Sequence, residues 1–164
     1  MRFILVLTIA FTLCVSCKND TANNVKEGAP QTQVSNSGPE YQQLPNDLMM
    51  DLWNKGDLID YIFHNLPFSM NQTEQASIRT NLTYFSSDPQ PNIPSECKPM
   101  GRQFFGIQGN IVLEADIYFS DNCAFYVFYI DGKARYANKM SKSGQTFFSN
   151  MIQRGLEARN KQLG

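Results

Sequence analysis

The chain has 164 residues, of which 42% are hydrophobic and 12% aromatic, with 14 Lys and Arg against 15 Asp and Glu and a formal net charge of −1. Near-neutrality excludes the electrostatic footprint of a nucleic-acid binder and gives no polybasic aid to membrane binding. The length allows one hydrophobic core of ordinary size, and no internal repeat is present.

Arg2 precedes an apolar stretch, Phe3 to Leu13, broken only by Thr8 and Thr12. As a helix it would rise about 16 Å, far short of the roughly 30 Å of bilayer hydrocarbon. It suits an export signal and not a membrane span. The small Ser16 precedes Cys17, and a polar run starts directly after it. This arrangement resembles the signal peptide of bacterial lipoproteins. The resemblance implies that residues 1–16 are removed and that Cys17 becomes the lipidated first residue of the mature chain. An ordinary secretory signal cleaved nearby, leaving Cys17 as a thiol, is the alternative. Cys17-Lys18-Asn19-Asp20 is similar to the surface-export signal of Bacteroidota lipoproteins. Asp20-Thr21-Ala22 is similar to the O-glycosylation sequon of that group, with Thr21 as its acceptor. The localisation implied is the cell envelope, lipid-anchored, at the outer membrane and either periplasmic or surface-exposed.

Lys18 to Leu44 is made mainly of Asn, Gln, Thr, Ser, Gly, Pro and Lys. It offers too little apolar surface to offset the entropy of ordering. Residues 17–44 are therefore expected to be lipidated Cys and flexible tether, reaching about 30 Å as a coil. Residues 45–164 are expected to form a single domain. It holds ten of the twelve Phe and all the Tyr but Tyr41, so its core is aromatic.

The first half of the domain reads as helices. Asn46 or Asp47 can cap a turn bearing Leu48, Leu52 and Trp53 that stops near Gly56. Asp57 can cap a second, with Leu58, Ile59, Ile62, Phe63 and Leu66 at helical spacing before Pro67. Asn71-Gln72-Thr73-Glu74 resembles a capping box for a third, with Ile78, Leu82 and Phe85 on one stripe. Ser86 to Pro99 carries four prolines and reads as a stiffened loop.

The second half reads as a four-stranded antiparallel meander over 102–108, 110–120, 124–130 and 133–138. Asp131-Gly132 is a two-residue type I′ hairpin signal, which pairs Ile130 with Lys133, Phe128 with Arg135 and Val127 with Tyr136. Lys133 and Arg135 mark the face of Tyr126, Phe128 and Ile130 as outer, leaving Phe125, Val127 and Tyr129 inward. A slip of one residue flips every side chain. Keeping Glu114 and Asp116 outward then requires a three-residue loop, Asp121-Asn122-Cys123, and sets Asp116, Phe128 and Arg135 in one row. A helix over 143–162 presents Phe147, Phe148, Met151, Ile152, Gly155 and Leu156 as an apolar stripe. The fold class is α+β: N-terminal helices, the meander, and a C-terminal helix packed on the sheet.

Once Cys14 leaves with the signal and Cys17 takes the lipid, Cys97 and Cys123 remain. In an oxidising compartment they favour a disulfide over two buried thiols. Their spacing, with the single His64 distant, makes no zinc site, and no pattern names a cofactor. Lys139-Met140-Ser141-Lys142-Ser143 is identical to a class I aminoacyl-tRNA synthetase signature. The His-x-Gly-His motif that must accompany it is absent, so the pentapeptide reads as a strand end and helix start. His64 has no nucleophile near it in sequence. Glu114 and Asp116 stand about 7 Å apart on one strand face, a spacing compatible with paired-carboxylate hydrolysis and equally with a solvated strand face.

Tyr118, Tyr126, Phe128 and Ile130, rimmed by Lys133 and Arg135, form the candidate binding face. Either it is open to a partner or an early helix covers it, because strand 124–130 is apolar on both faces. Three functions follow. The first is a non-enzymatic module that binds an envelope or extracellular protein, with the membrane reached through the lipid and no nucleic acid. The second is a small-molecule or glycan-binding lipoprotein. The third is an envelope hydrolase.

Overall fold

The computed structural model describes residues 40–163. The expected lipidation at Cys17, the O-glycosylation at Thr21 and the polar stretch up to residue 39 lie outside the described residues.

The domain is α+β, with three helices on one side of a seven-stranded antiparallel sheet. In chain order the elements are α1 (Asn46–Lys55), β1 (Leu58–Phe63), β2 (Ser69–Gln72), α2 (Gln75–Leu82), β3 (Phe85–Pro89), β4 (Gly101–Ile107), β5 (Asn110–Ser120), β6 (Cys123–Ile130), β7 (Lys133–Met140) and α3 (Lys142–Leu163). The strand order is β2-β1-β4-β5-β6-β7-β3. The expected meander is its centre, and three further strands extend it at both edges.

All three of those strands fall where sequence periodicity predicts no strand. Leu58 to Phe63, expected as a helix, is β1, paired with β2 on one side and β4 on the other. Its apolar positions satisfy period 2 as well as period 3.6. Ile59, Tyr61 and Phe63 turn inward, and Ile62 is exposed. β-Branched and aromatic side chains suit the pleated surface, and two neighbouring strands supply its hydrogen bonds. Phe85, expected on the stripe of the third helix, and Ser86 to Pro89, expected in a loop, form the edge strand β3. It pairs with β7 at Phe85↔Met140 and Pro89↔Asn138 around an irregularity. An edge position tolerates Pro89, which has no N–H to donate. Asn71 lies in β2, so the capping box does not form: α2 begins after Glu74 with no side-chain cap. Gly56 follows α1 at its C-terminus, where any Cβ would lie 2.5 Å from the Leu52 carbonyl oxygen, so only glycine fits there unstrained.

The hairpins correct the expected register. Asp131-Gly132 is the predicted turn, with positive φ at both residues (51° and 69°), and Ile130 does face Lys133. A bulge follows, however. Tyr129 pairs with Ala134 and Phe128 with Tyr136, leaving Arg135 as the extra residue. At the other hairpin Ser120 faces Cys123, so the connection is the two residues Asp121-Asn122 and not three. Neither takes a positive φ. Asp116 therefore faces Val127 and then Ala137, and the expected row of Asp116, Phe128 and Arg135 does not exist.

The main core lies between the sheet and the helices. Phe105, Ile117, Tyr126 and Phe128 meet Leu52 of α1, Ile78 and Leu82 of α2 and Phe148 of α3 there. Phe85 packs edge-on against Phe105, Tyr126 and Phe128, at ring-centroid separations of 4.6–5.8 Å. A second, smaller cluster occupies the opposite face of the sheet, where Tyr118, Phe125, Val127 and Ala137 are buried under Tyr41, Ile93 and Cys97. Its cover is extended chain. Tyr41 N–H donates to the Pro91 carbonyl, the Gln42 carbonyl accepts from Ala137 N–H, and Leu44 N–H donates to Asn138 Oδ1. Tyr41 to Leu44, expected at the end of the tether, are thus built into the domain. The Cys97–Cys123 disulfide, with Cα atoms 5.9 Å apart, ties the proline-bearing loop to the start of β6.

Candidate functional site on the outer sheet face

The expected binding face does not assemble. Tyr126 and Phe128 are fully buried in the main core on the helix side. Tyr118 lies on the other face, stacked on Phe125 at 4.5 Å beneath the covering loop. Ile130 is half-buried near the hairpin tip, beside exposed Lys133 and Arg135. Two causes combine. β6 is apolar on both faces, so composition does not tell inner from outer. The charges that seemed to mark the outer face sit at the sheet end and on a bulge, where parity with Tyr126 and Phe128 carries no information.

The side away from the helices divides into a covered half over β5–β7 and an open half over β1, β4 and the middle of β5. Antiparallel partners share a face, which gives two rows of side chains on this side. One runs Ile62, Arg102, Asp116 and Val127; the other runs Asp60, Phe104, Glu114 and Tyr129. Arg102 anchors the junction between the halves. Its Nε donates to Asp116 Oδ1 at 2.7 Å and its Nη1 to Glu114 Oε2 at 3.0 Å. The Tyr129 hydroxyl donates to the other Asp116 oxygen at 2.8 Å, and the guanidinium lies over the Tyr129 ring, 4.6 Å from its centroid.

The two carboxylates are unequal. The Asp116 side chain is 8% exposed, whereas Glu114 and Arg102 keep 31% and 34%. Asp116 is thus the buried acceptor of two directed bonds, and Glu114 is a rim charge. The Arg102 cation is held above its usual range, chiefly by the hydrogen bond to Asp116. Tyr129 is pushed well above the ordinary phenol value by burial first, then by its bond to Asp116 and that carboxylate's charge. In this array the phenol keeps its proton and the guanidinium is neutralised locally, so Glu114 and Asp116 act as partners of Arg102.

Beside the array, Ile62 is 49% exposed and Phe104 half-buried. The open half is therefore an apolar strip rimmed by Asp60, Glu114 and Arg102. Arg102 and Ile62 were not legible as site residues in the sequence. The available signal was an Arg in one strand alternating in phase with two acids in the next, but it requires the β4–β5 register.

The other two features singled out in the sequence lie away from this array. His64 is exposed and its Nδ1 lies 3.1 Å from the Pro99 carbonyl. In the Lys139–Ser143 segment, Met140 ends β7, while the Ser141 hydroxyl donates to the Thr83 carbonyl and accepts from Gly144 N–H, capping α3. Among the described residues no group of three or more His, Cys, Asp or Glu side chains could hold a metal, and no helix is long and apolar enough to cross a membrane. No protein-family model, curated protein or solved structure matches the chain.

Proposed function

We propose that the chain is a lipid-anchored envelope protein whose domain is a non-enzymatic module for binding another envelope or extracellular protein. The anchoring part rests on the Arg2–Cys17 segment and its resemblance to lipoprotein signals. The binding part rests on the uncovered strip of Ile62 and Phe104 beside Arg102 and Glu114. An exposed apolar residue next to a prearranged Arg matches the make-up of interface hot spots, where aromatic side chains and Arg dominate and charges form the rim. Asp60, Glu114 and Asp116 outnumber Arg102 on this face, so a partner with an apolar contact and a basic side chain fits it best.

The test is crosslinking and affinity capture from intact envelopes, comparing wild type with Ile62→Lys. Ile62 is half-exposed, so the substitution should leave stability within about 0.5 kcal/mol. A specific envelope protein captured by wild type and lost in the variant supports the reading. Identical capture by both, or none by wild type, removes it.

A further inference from the structure

We propose that the open sheet edge at β2 takes up an extended polypeptide segment as a further antiparallel strand. The segment carries a basic residue, any one residue and a large apolar residue, in that order. The inference rests on the reading of the Ile62 face as a protein-binding surface and deepens it, by naming how the partner sits and what it presents. β2 ends the sheet, and among the described residues no backbone hydrogen bond outside its ladder with β1 involves Ser69–Gln72. The two edges of the sheet differ. β3 is blunted by Asp88, Pro89 and an irregular register, devices that keep an edge from pairing. β2, Ser69-Met70-Asn71-Gln72, has no charge, no proline and an unbroken register with β1. Its four residues fit a short segment.

The face that β1 and β2 share sets what fits beside them. Ser69 pairs with Ile62 and Asn71 with Asp60, and all four lie on the side away from the helices. Ser69 and Asn71 are exposed and short, so they leave a shallow gutter between β1 and an added strand. Asp60 is half-buried, and the ion pairs among the described residues leave its carboxylate without a partner. Arg102, diagonal to it on β4, bonds instead to Asp116 and Glu114. From Asp57 to Ile78 the chain has no Lys or Arg but carries Asp57, Asp60 and Glu74. The charge missing from this edge is therefore positive. Strands stand about 4.8 Å apart, so an added strand lies about 10 Å from β1. An extended Lys or Arg opposite Asn71 spans that gap to the Asp60 carboxylate. A large apolar side chain opposite Ser69 lies across the serine onto Ile62. Residues two apart in a strand share a face. Antiparallel pairing, the more stable arrangement per residue, puts the basic residue first in the chain. The residue between the two meets half-buried Met70 on the helix side. A second copy pairing through its own β2 does not fit, because that strand has no basic residue to set against Asp60.

The experiment titrates the full mature chain with a capped synthetic peptide carrying Lys-Val-Phe between Thr-rich flanks. Fluorescence anisotropy reads the affinity, and amide hydrogen exchange reads the backbone of β2. The expected result is saturable binding with a Kd of about 1 mM or tighter, and slowed exchange within Ser69–Gln72. A Glu-Val-Phe peptide should bind about tenfold more weakly, because its charge repeats that of the edge. The reversed Phe-Val-Lys peptide and the Asp60→Asn variant should each lower affinity about threefold, the worth of a partly exposed ion pair. The proposal is overturned if the Lys-Val-Phe peptide does not saturate by about 5 mM, or if it binds without slowing exchange in β2. Equal affinity for the reversed peptide, or no effect of Asp60→Asn, also overturns it. So does dimerisation of the chain through β2, seen as slowed exchange there that disappears on dilution without peptide. Envelope capture lost in Ile62→Lys while the peptide fails to bind leaves the protein-binding reading standing and removes strand addition alone. Peptide bound along β2 with no envelope capture by wild type removes the envelope partner and keeps the edge site.

Discussion

Replacing both Cys97 and Cys123 by Ala should cost the domain about 3.5 kcal/mol. The bridged residues are 26 apart in sequence. Closing a loop of that size in the unfolded chain removes about 12 cal/mol/K of entropy in the chain-entropy model, or about 3.5 kcal/mol at 25 °C. The folded state gives little of this back, because the cover over Tyr118, Phe125 and Val127 is also held by backbone bonds from Tyr41, Gln42 and Leu44. Against a typical stability of about 5–15 kcal/mol, the loss is large yet leaves a folded protein. Urea unfolding followed by tryptophan fluorescence measures it. With a slope near 2 kcal/mol/M, the midpoint should fall by about 1.7 M at unchanged slope. Reduction of the wild type by dithiothreitol should reproduce the same midpoint. A shift worth less than about 1 kcal/mol would refute the reasoning, since it would mean that the reduced unfolded chain is already held near the closed geometry. A changed slope would place the effect in altered compactness and not in loop closure.

Tyr126→Phe should leave stability unchanged or raise it by about 1–2 kcal/mol, because it removes a buried hydroxyl that has no hydrogen-bond partner among the described residues; Phe128→Ala one turn of the pleat away should cost about 3–5 kcal/mol, and both are read by urea melts. Gly56→Ala should cost about 1–3 kcal/mol, because its Cβ would meet the Leu52 carbonyl oxygen at 2.5 Å and the α1 C-terminus must shift, again read by the unfolding midpoint. Tyr61, Tyr126 and Tyr129 all have pKa values raised on folding, chiefly by burial. Their protonated forms thus contribute stability that is complete below about pH 10, the ordinary phenol value, and is lost as pH rises above it. Absorbance titration near 295 nm should therefore show these tyrosines ionising only together with alkaline unfolding, and a free titration at the ordinary value would contradict their burial.

What the sequence made legible follows from how many independent signals each segment carries. β5, β6 and β7 lie within a few residues of their expected bounds because turn residues punctuate them; at Asp131-Gly132 only positive φ fits a tight hairpin. The Cys97–Cys123 pair was legible by elimination among four cysteines. β1 was not, since six residues cannot separate a period of 2 from one of 3.6, and the arbiter is the hydrogen bonding offered by β2 and β4. The facing of the sheet failed for a related reason. Parity arguments need one polar face, and β6 has none because the domain covers it twice, by helices on one side and by Tyr41 and the disulfide-tied loop on the other.

That double cover also explains where the candidate surface ended up. A strand buried on both sides can stand only in the middle of its sheet. The side away from the helices can then be open only beyond the reach of the proline-bearing loop, over β1 and β4. The boundary needs a residue that tolerates both environments, and Arg102 provides it: aromatic contact through Tyr129, two carboxylate bonds, and partial exposure beside its cross-strand neighbour Ile62. Exposure alone does not mark a binding site, since single apolar residues on surfaces are ordinary. Here the exposed Ile62 adjoins a cation already fixed by Asp116, so a partner docking there would meet an Arg whose ordering entropy is largely spent in the free protein.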